Sequence, residues 1–198
     1  LKRLQTDYLD LYYYHLDDRS VPLNVQLETM DQLTRSGKVR YIGASNFKAW
    51  RLAEAAAVSK ANDYPAFCCV QQRHTYLRPR VDARFGAQVP SNDDLLEYCR
   101  ERGLQLVAYS SLLSGAYSRD DRRIQKQYRH KDSDARMAAL LEAAHETAAT
   151  PNQVLLAWLT GRGIIPVTGA STAEQMMESL AGFDLSISVE LLDRLDAA

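Results

Sequence analysis

Short apolar runs alternate along this chain with longer stretches whose apolar residues recur at helical spacing, and that rhythm constrains the fold more than any other feature. It is the pattern of repeated βα units around a parallel sheet, because strands buried on both faces read as near-continuous apolar runs. Five strands are expected: Leu9 to Tyr14, Val39 to Ala44, Phe67 to Gln71, Gln105 to Tyr109 and Ile164 to Val167. Between the first two, Leu23, Leu27, Met30 and Leu33 predict a helix, and Ser36-Gly37-Lys38 supplies a glycine for a left-handed stop. Asn46 can cap a helix through Ala49, Trp50, Leu52 and Ala53, and Ser91 or Asn92 one through Leu95, Leu96, Tyr98 and Cys99 that stops near Gly103.

Further helices are expected over roughly 134–149, from Pro151 to Leu159, from Thr172 to Leu180 and from Val189 to Leu195. Thr150 before Pro151, with Gln153 three residues on, has the pattern of a capping box with a first-turn proline. The polar stretch from Ser114 to Ser133 has no apolar period and reads as a mobile loop. No internal repeat or linker divides the chain, so residues 1–198 read as one domain.

Composition narrows the function. With 24 basic and 25 acidic side chains mixed along the chain, there is no basic field for nucleic acid or an anionic membrane. A small ligand is the better expectation. The three cysteines, Cys68, Cys69 and Cys99, have no metal-ligand spacing and fit a reducing, cytoplasmic location. No apolar run approaches the roughly 20 residues of a membrane span, and LKRLQTDYLD at the start has no signal-peptide core.

Five segments in fixed order resemble the aldo-keto reductases: LQTDYLDLYYYH (Leu4 to His15), GKVRYIGASNF (Gly37 to Phe47), Val70-Gln71, VAYSSLLSG (Val107 to Gly115) and IPVTGASTAEQMMESL (Ile165 to Leu180). The third to fifth look closest to the branch that includes bacterial general-stress reductases and potassium-channel β subunits. The resemblance implies an α/β fold, the (β/α)8 TIM barrel, present here only as about five βα units, the family's fourth to eighth. It implies NADP(H) as cofactor, a small-molecule aldehyde or ketone as substrate, and functional residues at the C-terminal ends of the strands.

By that resemblance His15 is the active-site histidine that orients the carbonyl; without it, a histidine satisfying backbone groups at a strand end is the plainer account. Ser45 and Asn46 would bind the nicotinamide carboxamide, against the alternative that Asn46 only caps the next helix. Gln71 would be the third carboxamide contact, with Gln72 as alternative, since a one-residue slip turns the side chain to the other face. His74 and Tyr76 could line a substrate pocket, but a surface loop is the simpler reading. Tyr109 would stack on the nicotinamide ring, where the alternative is core packing, and Ser110 and Leu112 would sit near the pyrophosphate.

The stretch from Gly169 to Ser179 resembles the loop and helix that grip the adenosine 2'-phosphate, with Ser171 and Thr172 as its donors and Gln175 and Glu178 near the adenine and ribose. Free N–H groups and the helix dipole suit an anion there. This chain departs from the family in having Ser111 where Pro is frequent, Gln175 where many members have Arg, and Ser179 where many have Asn. Losing the Arg weakens the electrostatic preference for NADP(H) over NAD(H).

The resemblance further implies an Asp, a Tyr and a Lys from three βα units that precede this sequence, so the chain alone is expected to be inactive. Five strands cannot close a ring built for eight, and open edges invite a second copy, a homo-oligomer. The expectation preferred here is a reductase whose N-terminal third lies outside this sequence. Its rival is a non-catalytic nicotinamide-nucleotide-binding or regulatory subunit.

Overall fold

The computed structural model describes residues 1–198. The chain forms two compact units, the first built from 1–72 and 87–106, the second from 73–86 and 107–198.

In the first unit β1 (Leu9–Tyr14), β2 (Val39–Ser45) and β3 (Phe67–Arg73, through Gln72) are parallel, with α1 (Leu23–Arg35), α2 (Ala49–Asn62) and α3 (Asp93–Arg102) between and after them. α1 forms because Leu23, Leu27 and Met30 stack on one buried face, and it ends at Gly37, whose φ of 73° only glycine adopts without strain. Leu23 and Leu27 pack with Ala55 of α2, and Met30 with Val39 and Ile42 of β2. α3 is capped by Asn92, whose Oδ1 accepts from the Leu95 N–H at 3.1 Å. α2 differs from expectation: its N-cap is Lys48, with no side-chain cap. Asn46 does not cap it, because its side chain is spent on the neighbouring strand ends.

The second unit contains β4 (Gln105–Tyr109, from Val107) paired in parallel with the short β5 (Ile165–Pro166), and α4 (Lys131–Glu146), α5 (Pro151–Gly161), α6 (Ala173–Asp184) and α7 (Val189–Ala197). Its core gathers Ala108, Leu140, Val154, Leu155, Trp158, Leu159, Leu191 and Leu195. The capping box of α5 is present: the Gln153 N–H donates to Thr150 Oγ1 at 3.2 Å and the Thr150 N–H to Gln153 Oε1 at 2.9 Å.

Two expectations are corrected here. The segment from Ser114 to Ser133 is not an unanchored polar loop: it contains a 3-10 turn at Lys126–Tyr128, α4 begins inside it, and Tyr117 and Tyr128 are buried. Tyr117 Oη accepts from the Leu77 N–H at 3.1 Å, and Tyr128 Oη from Arg73 Nε at 3.0 Å. Single aromatic anchors have no period, so a search for periodicity passes over them. Nor are His74 and Tyr76 a surface loop. His74 stacks on Trp158 with ring centroids 5.8 Å apart, and Tyr76 meets the same indole edge-on and donates its hydroxyl to the Leu195 carbonyl at 2.9 Å.

Candidate active site

In the first unit, parallel strands bring their C-terminal ends side by side, and four of the polar residues singled out in the sequence fall there. His15 directly follows β1 and is exposed, Ser45 ends β2 fully buried, Asn46 follows it, and Gln71 lies near the end of β3 half-buried. Asn46 joins them. Its Nδ2 donates to the His15 carbonyl at 3.1 Å and to Ser45 Oγ at 3.0 Å, its N–H donates to the Gln71 carbonyl at 3.1 Å, and its Oδ1 accepts from the Val89 N–H at 3.1 Å. The backbone of Asn46 is left-handed, at φ 60°, which asparagine tolerates better than most residues.

The strand register separates the two glutamines. Ser45 stands opposite Gln71, and successive side chains on a strand point to opposite faces. Gln72 is fully buried and donates its Nε2 to the Phe47 carbonyl at 2.9 Å.

Beside this cluster lies an open recess of about 450 Å³ lined by Leu16, Asp17, Asp18, Arg19, Asn46, Lys48, Ala87 and Val89. Asp17 is gripped from two sides, by Arg19 Nε at 2.8 Å and by Arg51 Nε at 3.0 Å, and Arg51 reaches Glu54 at 2.9 Å. Asp18 accepts from the N–H and hydroxyl of Ser20, which holds its carboxyl below the usual range. Within the lining, Asp17 and Arg19 thus match one another, and Arg51 reaches Asp17 from α2. The sequence reading missed the Asp17–Arg51 pair; the signal was an acidic residue two positions past the strand-end histidine.

In the second unit Tyr109 ends β4 half-buried, and burial pushes its hydroxyl up to about 12, so it presents a neutral ring. Ser110 follows in the left-handed region at φ 56°, with its Oγ accepting from Arg73 Nη1 at 3.3 Å. Leu112 opens a 3-10 turn, half-buried. Gly169, Ser171 and Thr172 are exposed before α6. Thr172 caps that helix by accepting from the Gln175 N–H at 3.3 Å, while Gln175 Oε1 accepts from the Ser171 N–H at 2.8 Å. Glu178 Oε1 accepts from Thr150 Oγ1 at 2.7 Å and Asn152 Nδ2 at 3.3 Å, tying α6 to the start of α5.

The comparisons with known proteins agree with one another. The chain is 29% identical to an uncharacterized oxidoreductase, YrpG, of Bacillus subtilis, covering 99% of this chain and 60% of that protein. It is 29% identical to the aldo-keto reductase AFTS1 of Alternaria alternata, covering 100% of this chain and 54% of that protein. The chain therefore spans little more than half the length of the curated relatives it matches.

Among solved structures, a thermostable aldo-keto reductase in complex with the inhibitor epalrestat superposes with a TM-score of 0.76 at 30% identity, over 100% of this chain and 62% of that one. A putative 2,5-diketo-D-gluconic acid reductase B gives 0.77 at 23% identity over 59% of its length, which speaks to the fold. The fold class is the α/β TIM barrel, of which this chain supplies five βα units. Because the sequence profile described as the aldo/keto reductase family matches all of residues 1–198, strand ends and comparisons lead to one conclusion: this chain belongs to the aldo/keto reductase family.

Proposed function

We propose that this chain provides the cofactor-holding residues of an NADP(H)-dependent carbonyl reductase that converts an aldehyde or ketone to an alcohol. The observation that carries the reading is the convergence of His15, Ser45, Asn46 and Gln71 at adjacent strand ends, where this fold places its chemistry.

The donor set fits a nicotinamide carboxamide, which offers one acceptor and two donor hydrogens. The half-buried Gln71 amide carries both kinds of group, whereas the Ser45 hydroxyl, fully buried and accepting from Asn46, would donate its own hydrogen only once its cover moves aside. Such bonds fix which ring face meets the substrate. Bound NADPH would supply the hydride. Tyr109 would offer its neutral ring to the nicotinamide face, with Ser110 and Leu112 near the pyrophosphate and Gly169, Ser171, Thr172 and Gln175 toward the 2'-phosphate. Glu178, its Oε1 held by Thr150 and Asn152, would lie near the adenine and ribose.

His15 would hold the carbonyl oxygen, while the proton would come from a residue outside this sequence, since Tyr12, Tyr13 and Tyr14 lie within β1. The 198 residues on their own would then bind cofactor without turnover, acting as one domain. No helix is long and apolar enough to cross a membrane, and three unpaired thiols accord with a cytoplasmic setting.

Incubating the chain, and a longer form carrying the upstream βα units, with NADPH and an aldehyde panel tests this by cofactor absorbance. Binding by both and turnover by the longer form alone is the expected result. Binding by both with turnover by neither would favour the regulatory-subunit reading, and no binding by either would remove the cofactor assignment. In the longer form His15→Ala should depress turnover while leaving stability within about 1 kcal/mol, since a loss of about 2 to 5 kcal/mol would be that of a core side chain.

A further inference from the structure

The sulfurs of Cys68 and Cys69 lie 3.9 Å apart. Neighbours on a regular strand point to opposite faces. Here the β2–β3 register steps from Ile42 opposite Phe67 to Gly43 opposite Cys69, so Cys68 is the extra residue of a bulge, and bulges re-aim side chains. The two thiols differ in exposure, Cys68 facing solvent and Cys69 buried. Cys69 is held in place, its thiol donating to Tyr13 Oη at 3.3 Å. Gly43 makes the room: a Cβ at that position would come within 2.8 Å of Cys69 Sγ and 2.7 Å of the Tyr13 ring.

Two ordinary fates of paired thiols fit poorly. Adjacent Cα atoms are about 3.8 Å apart across a trans peptide, below the usual disulfide minimum of about 4.4 Å, so closing an S–S bond would distort the strand. Burial also pushes the Cys69 thiol up to about 11, which leaves little of the thiolate that reacts with oxidants. A cation needing three or more side-chain donors is equally unsuited, because no such group of His, Cys, Asp or Glu forms here. What remains is an electrophile that takes two sulfurs and keeps its third substituent, and trivalent arsenic is one.

We propose that Cys68 and Cys69 form a dithiol clasp for trivalent arsenicals of the type R–As(OH)2. The exposed Cys68 sulfur displaces one hydroxyl, forming an As–S bond while the thiol hydrogen leaves with that oxygen as water. Cys69 displaces the other in the same way. Two As–O and two S–H bonds are exchanged for two As–S bonds and two waters, and arsenic stays trivalent throughout. The second step is intramolecular, so it benefits from a high effective concentration. Cys69 shares its strand face with Gln71, two residues on, so the adduct lies beneath the polar strand ends.

The test uses phenylarsine oxide on the full 198-residue chain, followed by intact mass after challenge with excess monothiol, together with thermal melting. The wild type and Cys99→Ser should keep one adduct at least about tenfold longer than Cys68→Ser or Cys69→Ser, whose single As–S bond exchanges freely. A dithiol should strip it from all of them. The adduct should raise Tm, because a ligand that prefers the folded chain stabilises it. Should Cys69→Ser fail to fold, the exposed Cys68→Ser carries the comparison. An adduct lost to monothiol as fast from the wild type as from Cys68→Ser overturns the clasp. So does a persistent adduct that lowers Tm, since the pair would then close only in the unfolded chain.

Discussion

Asn46 donates its Nδ2 to the His15 carbonyl at 3.1 Å from a left-handed backbone at φ 60°, so one side chain fastens the end of β1 to the end of β2. Three side-chain bonds leave this residue, to His15, Ser45 and Val89. At roughly 0.5 to 1.5 kcal/mol each, plus about 1 kcal/mol for a side chain held left-handed, Asn46→Ala should cost about 2.5 to 5.5 kcal/mol. Asn46→Gly keeps the backbone freedom and should recover about 1 kcal/mol of that. Urea unfolding of both variants measures it, and equal stability of the two would show that the left-handed backbone contributes nothing.

The βα rhythm was legible because strand and helix burial are periodic, and periodicity survives in sequence. Leu23, Leu27 and Met30 announce α1, and Thr150 with Gln153 announces α5, through spacing alone. The site was legible only in part. His15, Ser45 and Gln71 could be placed at strand ends, but the role of Asn46 depends on where the Val89 N–H and the His15 carbonyl come to rest, which is tertiary information. Likewise nothing local distinguishes Tyr117 or Tyr128 from any loop tyrosine until Leu77 and Arg73 arrive to bind their hydroxyls.

Buried His74 gives the stability a pH dependence. Desolvation first, and the Arg136 charge second, depress it to about 4. The unfolded chain has an ordinary histidine near 6.5, so it binds the extra proton between those values. The contribution is therefore complete above about 6.5, falls as pH drops by about 1.4 kcal/mol per unit, and is exhausted near 4, about 3 kcal/mol in all. Urea unfolding at pH 7, 5.5 and 4.5 should show this slope in the wild type and its absence in His74→Gln. A slope unchanged by the substitution would place the proton elsewhere.

Gly43 should not accept a side chain. An alanine Cβ would lie 2.7 Å from the Tyr13 ring and 2.8 Å from Cys69 Sγ, and such overpacking costs about 1 to 3 kcal/mol. Tyr13→Ala removes one of the two obstacles. In a double-mutant cycle the pair should cost less than the sum of the single changes. Simple additivity would mean that the Tyr13 ring is not what confines Gly43.

On the proposed cofactor assignment, Gln175 should set how strongly the second unit discriminates between cofactors. Its Oε1 already accepts from the Ser171 N–H, and its own N–H is taken by Thr172 Oγ1. An arriving 2'-phosphate would therefore meet the neutral Ser171 hydroxyl hydrogen and Gln175 amide hydrogens, while the Thr172 hydroxyl is already engaged by the Glu174 carboxylate in the first turn of α6. Hydrogen bonds to a charged group are worth roughly 1.5 to 3 kcal/mol, or about one to two decades in affinity, so a modest preference for NADPH over NADH is expected. Neutral donors should leave that preference nearly insensitive to salt. Gln175→Glu retains the acceptor for Ser171 but sets a negative charge beside the phosphate, and should weaken NADPH binding while sparing NADH. Gln175→Arg should tighten NADPH binding and make it salt-dependent, at the expense of the Ser171 bond. Dissociation constants from Trp50 and Trp158 fluorescence at low and high salt separate these cases, and equal affinity of the wild type for both cofactors would remove Ser171, Thr172 and Gln175 from the phosphate site.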